Sequence, residues 1–172
     1  MHLRTVKVEK PEGMNIIMGQ SRVIRTVDEI HEVLVDTIPG IRFGVAFNQG
    51  AESPAVKFAG TDDGLVELAK RNAATIGADH LFVLLTQDVF PVRVMQSLKG
   101  ISDISEIYCA TDNAIEVIVV DSERGRGVMG LVDDHTVARD EDNDALEPEA
   151  GFFHKLGQRF FKSTPRSRVK LA

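Results

Sequence analysis

Two runs of almost uninterrupted apolar residues limit the folds that this chain can adopt. They are "HLFVLLT" at residues 80–86 and "EVIVV" at residues 116–120. A strand without regular polar alternation is typical of one covered on both faces, in the middle of a sheet with other layers packed against it. The runs therefore predict two central strands in a sheet with helices on each side.

The clearest helical pattern lies between residues 62 and 76. Apolar and small residues recur there at the spacing of one helix face, Thr61 precedes them as a cap, and Gly77 follows where a helix would end. A helix is also predicted from a capping-box spacing at residues 26–29, and another from Pro91 onward.

Short strand patterns surround these helices. Residues 3–8 and 14–18 flank a Pro-Glu-Gly turn and predict a hairpin, and residues 41–47 alternate like a half-buried strand to which "AVKFAG" pairs back. Strands alternating with helices predict an α/β sandwich, a single domain in which helices flank a mixed β-sheet. Hairpins at both ends of the domain exclude a purely parallel sheet.

The composition changes near residue 135, which predicts a domain over residues 1–134 and an extension over 135–172. Eight acidic side chains lie between residues 133 and 149, a linker too polar to bury a core, whereas residues 151–172 carry basic and no acidic side chains. Phenylalanines at helical spacing beside lysines and arginines in that tail would suit an anionic membrane surface or an acidic partner. Two glycines weaken such a helix and favour the alternative, a tail that packs on its own oligomer or has no fixed structure.

The formal charge of −6 over 172 residues argues against a broad nucleic-acid-binding face, so any anion site must be local. The single cysteine, Cys109, excludes an internal disulfide and fits a reducing cytoplasm. We expect neither an export signal nor a membrane span, because no long apolar stretch occurs. The histidines show no metal-binding spacing, so no metal site is predicted.

The loop "SERGRG" at residues 122–127 is the first candidate site. Backbone amides of Gly125 and Gly127 could approach a ligand closely, and the guanidinium of Arg126 offers forked donors that match phosphate oxygens. Glycine is equally what a tight hairpin turn requires. The residues alone support the turn and the phosphate site equally.

Polar groups at predicted strand ends supply the other candidates. They are Gly19, Gln20 and Ser21 after the second strand, Asn48 after the "FGVAF" strand, and His80 at the start of a central strand. Strand ends often meet ligands, and a histidine there could serve as acid, base or phosphoryl acceptor. Taken singly, each of these segments is better explained by a plain turn or loop, or by a structural side chain.

Taken in order along the chain, the motifs form a series. They are "EKPEGMNIIMGQS", "IPGIRFGVAF", "NAATIGADH", "FPVRVMQSLK", "IYCATDNAIEVIVVD" and "GRGVMGLVD". Over residues 1–134 this series resembles the adenosine-specific kinase family. The resemblance implies a compact α/β domain that assembles as a trimer and binds adenosine or AMP, with Mg²⁺ and ATP as further ligands if it is a kinase.

By position, the resemblance places the candidates named above around the ligand. His80 would be the catalytic residue, and the ligand-binding residues would be Gly19, Gln20, Ser21, Asn48, Gly125, Arg126 and Gly127. From their chemistry, we assign Arg126 and the flanking glycine amides to phosphate, and the "GQS" group to ribose or base.

The chain departs from the family pattern where ligand contact is expected. Arg22 stands after "GQS" where the family has histidine, the loop at residues 48–52 lacks a Cys-Glu-Ala-Ser-Gly type segment, and "TDNA" replaces a Thr-Ala-Asn-Pro segment. The alternative is therefore a sensor module that binds AMP without catalysis.

Overall fold

The computed structural model describes residues 1–50 and 55–134, which form eight strands and three helices. The strands are β1 (His2–Lys7), β2 (Met14–Ser21), β3 (Arg42–Asn48), β4 (Val56–Gly60), β5 (Leu81–Gln87), β6 (Ile104–Thr111), β7 (Ile115–Ser122) and β8 (Gly125–Asp133). The helices are α1 (Thr26–Thr37), α2 (Asp63–Ile76) and α3 (Pro91–Leu98). The predictions for the linker and tail lie outside the described residues, and the domain boundary stays a prediction.

The strands divide into two sheets, and the α/β class predicted from the sequence is confirmed. The larger sheet has the order β4-β3-β5-β2-β6, and the smaller has the order β1-β7-β8. Every strand pair in the described residues is antiparallel, so the two sheets replace the single mixed sheet that we predicted. The two near-continuous apolar runs do form the middle strands, β5 and β7.

The larger sheet forms the middle layer because both of its faces are covered. On one face Ile17, Phe43 and Leu84 pack against α1 and α3. On the other face Met18 and Val83 pack against α2 and against β7 of the smaller sheet. A strand covered on both faces has no need of polar alternation, which explains the unbroken apolar run in β5.

The predicted hairpin at the amino terminus is wrong. β1 pairs with β7, with Val6 opposite Val117, whereas β2 lies between β5 and β6 in the other sheet. The Pro-Glu-Gly segment between them, with Gly13 at φ 76°, leads from one sheet to the other. Turn residues indicate a change of direction and do not identify the partner of the next strand.

The two predicted helix caps are also wrong in detail. Thr26 is the first residue of α1, and its hydroxyl lies 2.5 Å from the hydroxyl of Ser21 instead of capping the helix. At α2 the cap is Asp62, whose carboxylate accepts a hydrogen bond from the Leu65 amide, while the Thr61 hydroxyl donates to the carbonyl of Ile41. The end of α2 at left-handed Gly77 is as predicted. Among the described residues, no helix combines the length and apolar character needed to cross a bilayer.

Replacing Asp62 with alanine is expected to lower the melting temperature by roughly 2–4 °C, since α2 loses its cap and Arg42 loses its ion partner at 2.7 Å. A hydrogen bond from Arg42 lowers the pKa of Asp62, and the Leu65 amide acts in the same direction. The stabilisation is therefore complete above the unfolded carboxyl pKa of about 3.9 and is lost as the pH falls through the lower folded pKa. Thermal unfolding of the unaltered protein, of Asp62→Ala and of Asp62→Asn, which keeps a capping side chain, is measured at neutral pH and near pH 2. The loss of melting temperature in Asp62→Ala should shrink at the lower pH. An equal loss at both pH values would contradict this prediction.

Candidate functional site

A cavity of about 460 Å³ lies at one end of the larger sheet, where the β7–β8 hairpin approaches the end of α2. It is within the size range of sites that bind small molecules. Four parts of the chain supply its walls: residues 48–50 at the end of β3, residues 55–56 at the start of β4, the end of α2 with the α2–β5 connection, and the hairpin. The lining residues are Asn48, Gln49, Gly50, Ala55, Val56, Ala74, Gly77, Asp79, Asp121, Ser122, Gly125 and Arg126.

Arg126 lies in this cavity and is fixed by hydrogen bonds. Its Nε donates to Asp121 Oδ1 at 2.6 Å, and its Nη1 donates to the carbonyl oxygen of Ile76 at 3.0 Å. Ile76 is the last residue of α2, so its carbonyl would lack a partner within the helix, and a cation there also complements the helix dipole. A guanidinium has five donors, so three N–H groups remain for a ligand.

The carboxylate of Asp121 balances the charge of Arg126. It also pairs with Arg4, whose Nε lies 2.9 Å from Asp121 Oδ2. The hydrogen bond from Arg126 lowers the pKa of Asp121, and the bond from Arg4 adds to this although partial burial acts against it. Asp121 is therefore ionised at neutral pH and holds the guanidinium in place.

Asp79 is a cavity residue that we did not predict from the sequence. Its backbone amide donates to the carbonyl of Arg126 at 3.1 Å, which joins the α2–β5 connection to the hairpin. In the sequence, nothing distinguishes Asp79 from an ordinary connecting residue between Gly77 and His80. The signal that could have indicated it is an acidic residue directly before a buried strand, at the edge where β3 also ends.

Asn48 lines the cavity, but its amide group is already engaged. The side-chain nitrogen donates to the carbonyl of Ala73 at 2.6 Å and to that of Ala78 at 3.2 Å. Both N–H groups are thus used to connect β3 to the end of α2. The side-chain oxygen of Asn48 remains as the group that can accept from a ligand.

His80 lies at the same edge of the sheet, outside the set of lining residues. Its amide donates to the carbonyl of Asn48 and its carbonyl accepts from the Ser21 amide, both at 3.0 Å. His80 has a left-handed backbone (φ 61°), and its exposed ring packs at a tilt against Phe47 with ring centres 6.3 Å apart. The predicted site residues Ser21, His80 and Asn48 are therefore neighbours joined by backbone hydrogen bonds, and only Asn48 lines the cavity.

Gly19 and Ser21 have structural surroundings that explain their identities. A β-carbon at Gly19 would lie 2.7 Å from the ring of Phe82, so the close packing requires glycine. The buried Ser21 hydroxyl contacts Thr26 and donates to the carbonyl of Asp103 at 3.1 Å. Neither residue lines the cavity around Arg126.

Gln20 lies in a second cavity, of about 560 Å³, between β6 and β8. Its side-chain oxygen accepts a hydrogen bond from the hydroxyl of Tyr108 at 3.2 Å. The "GQS" group that we assigned to ribose or base therefore lies apart from the arginine that we assigned to phosphate.

The hairpin itself is confirmed, and its two arginines differ in environment. Ser122 pairs with Gly125, which leaves Glu123 and Arg124 as the connection, and Arg124 is exposed. Gly125 lines the cavity with φ 141°, a conformation that glycine tolerates, whereas Gly127 pairs with Val120 and does not line it. The turn and the candidate anion site are thus neighbouring parts of one hairpin.

Burial raises the pKa of the Cys109 thiol to about 11, which disfavours the nucleophilic thiolate at neutral pH. We expect iodoacetamide at pH 8 to alkylate the folded protein on the order of 100-fold more slowly than the urea-unfolded chain, whose thiol has an ordinary pKa of about 8.5. Mass spectrometry of timed samples measures both rates. Equal rates in the two states would contradict the burial of this thiol.

Comparison with known proteins identifies the family. A family model described as "Adenosine specific kinase" matches residues 6–159. The chain belongs to the adenosine-specific kinase family. Among solved structures, this chain is similar to the PH1918 protein of Pyrococcus horikoshii OT3, with 33% sequence identity and a TM-score of 0.79. The match covers 95% of this chain and 99% of the PH1918 chain. No curated protein matches the chain.

Proposed function

We propose that this protein binds adenosine or AMP in the cavity around Arg126. Membership of the adenosine-specific kinase family supports the ligand class, and the observation that carries the location is the arginine fixed in a cavity of ligand size. Three free N–H groups of Arg126 suit the oxygens of a phosphate, while glycines at positions 50 and 125 leave the neighbouring backbone accessible.

Isothermal titration calorimetry of the full-length protein with adenosine, AMP and GMP tests this proposal. Binding of the adenine compounds with weaker binding of GMP supports it. The absence of measurable binding of either adenine compound would overturn it.

We further propose phosphoryl transfer from ATP to adenosine, with His80 as the residue that accepts the proton of the attacking hydroxyl. His80 adjoins Asp79 of the cavity, and an imidazole can accept a proton near neutral pH. A magnesium ion would be held mainly by the phosphate oxygens of ATP, because the described residues contain no cluster of three ligating side chains and both oxygens of Asp121 are paired with arginines. Bound Mg²⁺ would neutralise charge on the phosphates.

A non-catalytic sensor that binds AMP is the second candidate. It is favoured by the position of His80 outside the cavity lining and by exposed Arg22, which stands where the family pattern has histidine. Incubation with ATP, Mg²⁺ and adenosine distinguishes the two, because formation of ADP and AMP requires turnover. His80→Ala should abolish that turnover and preserve adenosine binding if His80 transfers the proton.

We also propose that the protein forms a homotrimer, as the resemblance to the family implies, and that it acts in the cytoplasm. The lone, weakly acidic thiol of Cys109 suits a reducing compartment. Sedimentation equilibrium should then give about three times the chain mass of 18.9 kDa. A mass of one chain at micromolar concentration would contradict the trimer.

A further inference from the structure

The carboxylate of Asp79 differs from that of Asp121 in having no ionic partner among the described residues. Asp121 pairs with both Arg4 and Arg126. Within residues 1–50 and 55–134, no hydrogen bond or ion pair involves the Asp79 carboxylate, although its backbone amide is bonded to Arg126. Asp79 therefore places an unbalanced negative charge and two free acceptor oxygens in the cavity.

Two glycines keep the surroundings of this carboxylate open. A β-carbon added at Gly50 would lie 3.7 Å from Asp79 Oδ1, and one at Gly125 would overlap Oδ2. Both glycines have positive φ values, 114° and 141°, which side chains rarely adopt. The carboxylate thus lies between two residues without side chains, Gly50 after β3 and Gly125 on the hairpin.

The charges of the lining decide which part of a nucleotide can contact Asp79. Among the described lining residues, the charged side chains are Asp79, Asp121 and Arg126, two negative and one positive. A phosphate monoester carries a charge of about −1.5 to −2 at neutral pH, so it is repelled at Asp79. Uncharged hydroxyl groups are attracted there, because they donate hydrogen bonds that an ionised carboxylate accepts strongly.

We propose that Asp79 accepts hydrogen bonds from the vicinal 2′- and 3′-hydroxyl groups of the ribose, and so selects ribonucleosides over deoxyribonucleosides. This inference rests on the proposed function, and it deepens that function by assigning the sugar to Asp79 in place of the "GQS" group, which does not line this cavity. The two oxygens of one carboxylate match two adjacent hydroxyl donors. Arg126, whose carbonyl accepts from the Asp79 amide at 3.1 Å, is adjacent and remains available for the phosphate on the same sugar.

Titration calorimetry of the full-length protein with adenosine, 2′-deoxyadenosine and 3′-deoxyadenosine tests the proposal without altering the chain. Each deoxynucleoside is expected to bind at least about 10-fold more weakly than adenosine, the effect of losing a hydrogen bond to a charged group. Equal affinities for the three would overturn the role of Asp79 and leave the proposed adenosine site intact. Absence of binding by all three, and by AMP, would instead overturn the proposed function, and this inference with it.

Two variants locate the selectivity at Asp79. Asp79→Ala and Asp79→Asn should each bind adenosine and 2′-deoxyadenosine with similar affinities, whereas Glu123→Gln, which removes an exposed carboxylate from the same hairpin, should keep the preference for ribose. Thermal unfolding confirms that each variant is folded before titration. Retention of the preference by both Asp79 variants would overturn the assignment.

Discussion

Arg126→Ala is expected to weaken AMP binding by about 10- to 100-fold while changing adenosine binding far less. A hydrogen bond to a charged group contributes about 1.5–3 kcal/mol, which corresponds to that range of affinity. Removal of the guanidinium also leaves Asp79 and Asp121 as the charged groups of the described lining, so a phosphate would face two carboxylates. Titration of the variant with both ligands measures the two effects separately.

Arg124→Ala is the matched control for this experiment. It removes the same charge from the same hairpin, but Arg124 is exposed in the connection and does not line the cavity. The AMP affinity of this variant should remain close to that of the unaltered protein. Equal losses for the two variants would indicate only long-range attraction, and the hairpin would then be a turn without a phosphate site.

The structural role of Arg126 must be separated from its role in binding. Arg126→Ala also loses the hydrogen bonds to Asp121 and to the carbonyl of Ile76. We expect the free energy of unfolding to fall by about 1–2 kcal/mol, which urea titration measures. A larger loss for AMP than for adenosine cannot result from this destabilisation, because unfolding reduces the apparent binding of both ligands equally.

Local sequence patterns predicted the helices and strands of this fold, but they did not predict which distant strands pair. The α2 periodicity and the apolar run of β5 reflect burial of particular faces, so they could be seen in the sequence. That β1 pairs with β7 depends on contacts between residues more than a hundred positions apart, such as His2 with Asp121. Neither the sequence of β7 nor the turn residues near it identify the strand that pairs with β7.

In the candidate site, too, residue type and local sequence predicted some features, whereas others depend on long-range contacts. Arg126 was predicted because its residue type and the glycines beside it suggest anion binding, and the structure places it in a cavity. Asp79 was missed because an aspartate between a helix end and a strand is ordinary in sequence. Its significance depends on the approach of Gly50 and Gly125 from distant segments. Conversely, Ser21 has a hydroxyl that suggested a ligand contact, but burial against Thr26 occupies that hydroxyl.

Gly44→Ala is expected to destabilise the protein more than Asp62→Ala or Arg126→Ala. Gly44 is a buried residue of β3, and a β-carbon there would overlap backbone atoms of Leu65 and Val66 in α2. Backbone atoms cannot rotate away as a flexible side chain can, so α2 must move from the sheet. We expect a loss of about 3 kcal/mol in the free energy of unfolding, or roughly 6–12 °C in melting temperature.

Gly130→Ala provides the matched control, since a β-carbon there would meet no atom within 4 Å. Alanine at this β8 position should be neutral or stabilise slightly, because it restricts the unfolded chain. Calorimetric unfolding of both variants measures the difference. Equal stability of the two variants would contradict the close approach of α2 to β3.

The effect of Gly44→Ala should extend to the cavity, because the β3–α2 contact positions two of its walls. β3 ends at Asn48 and α2 ends before Gly77, and the Asn48 side chain connects them through the carbonyls of Ala73 and Ala78. Displacement of α2 also moves the carbonyl of Ile76, to which Arg126 is bonded. Gly44→Ala should therefore weaken AMP binding even at temperatures where the variant is fully folded, whereas unchanged affinity would show that the site is independent of this contact.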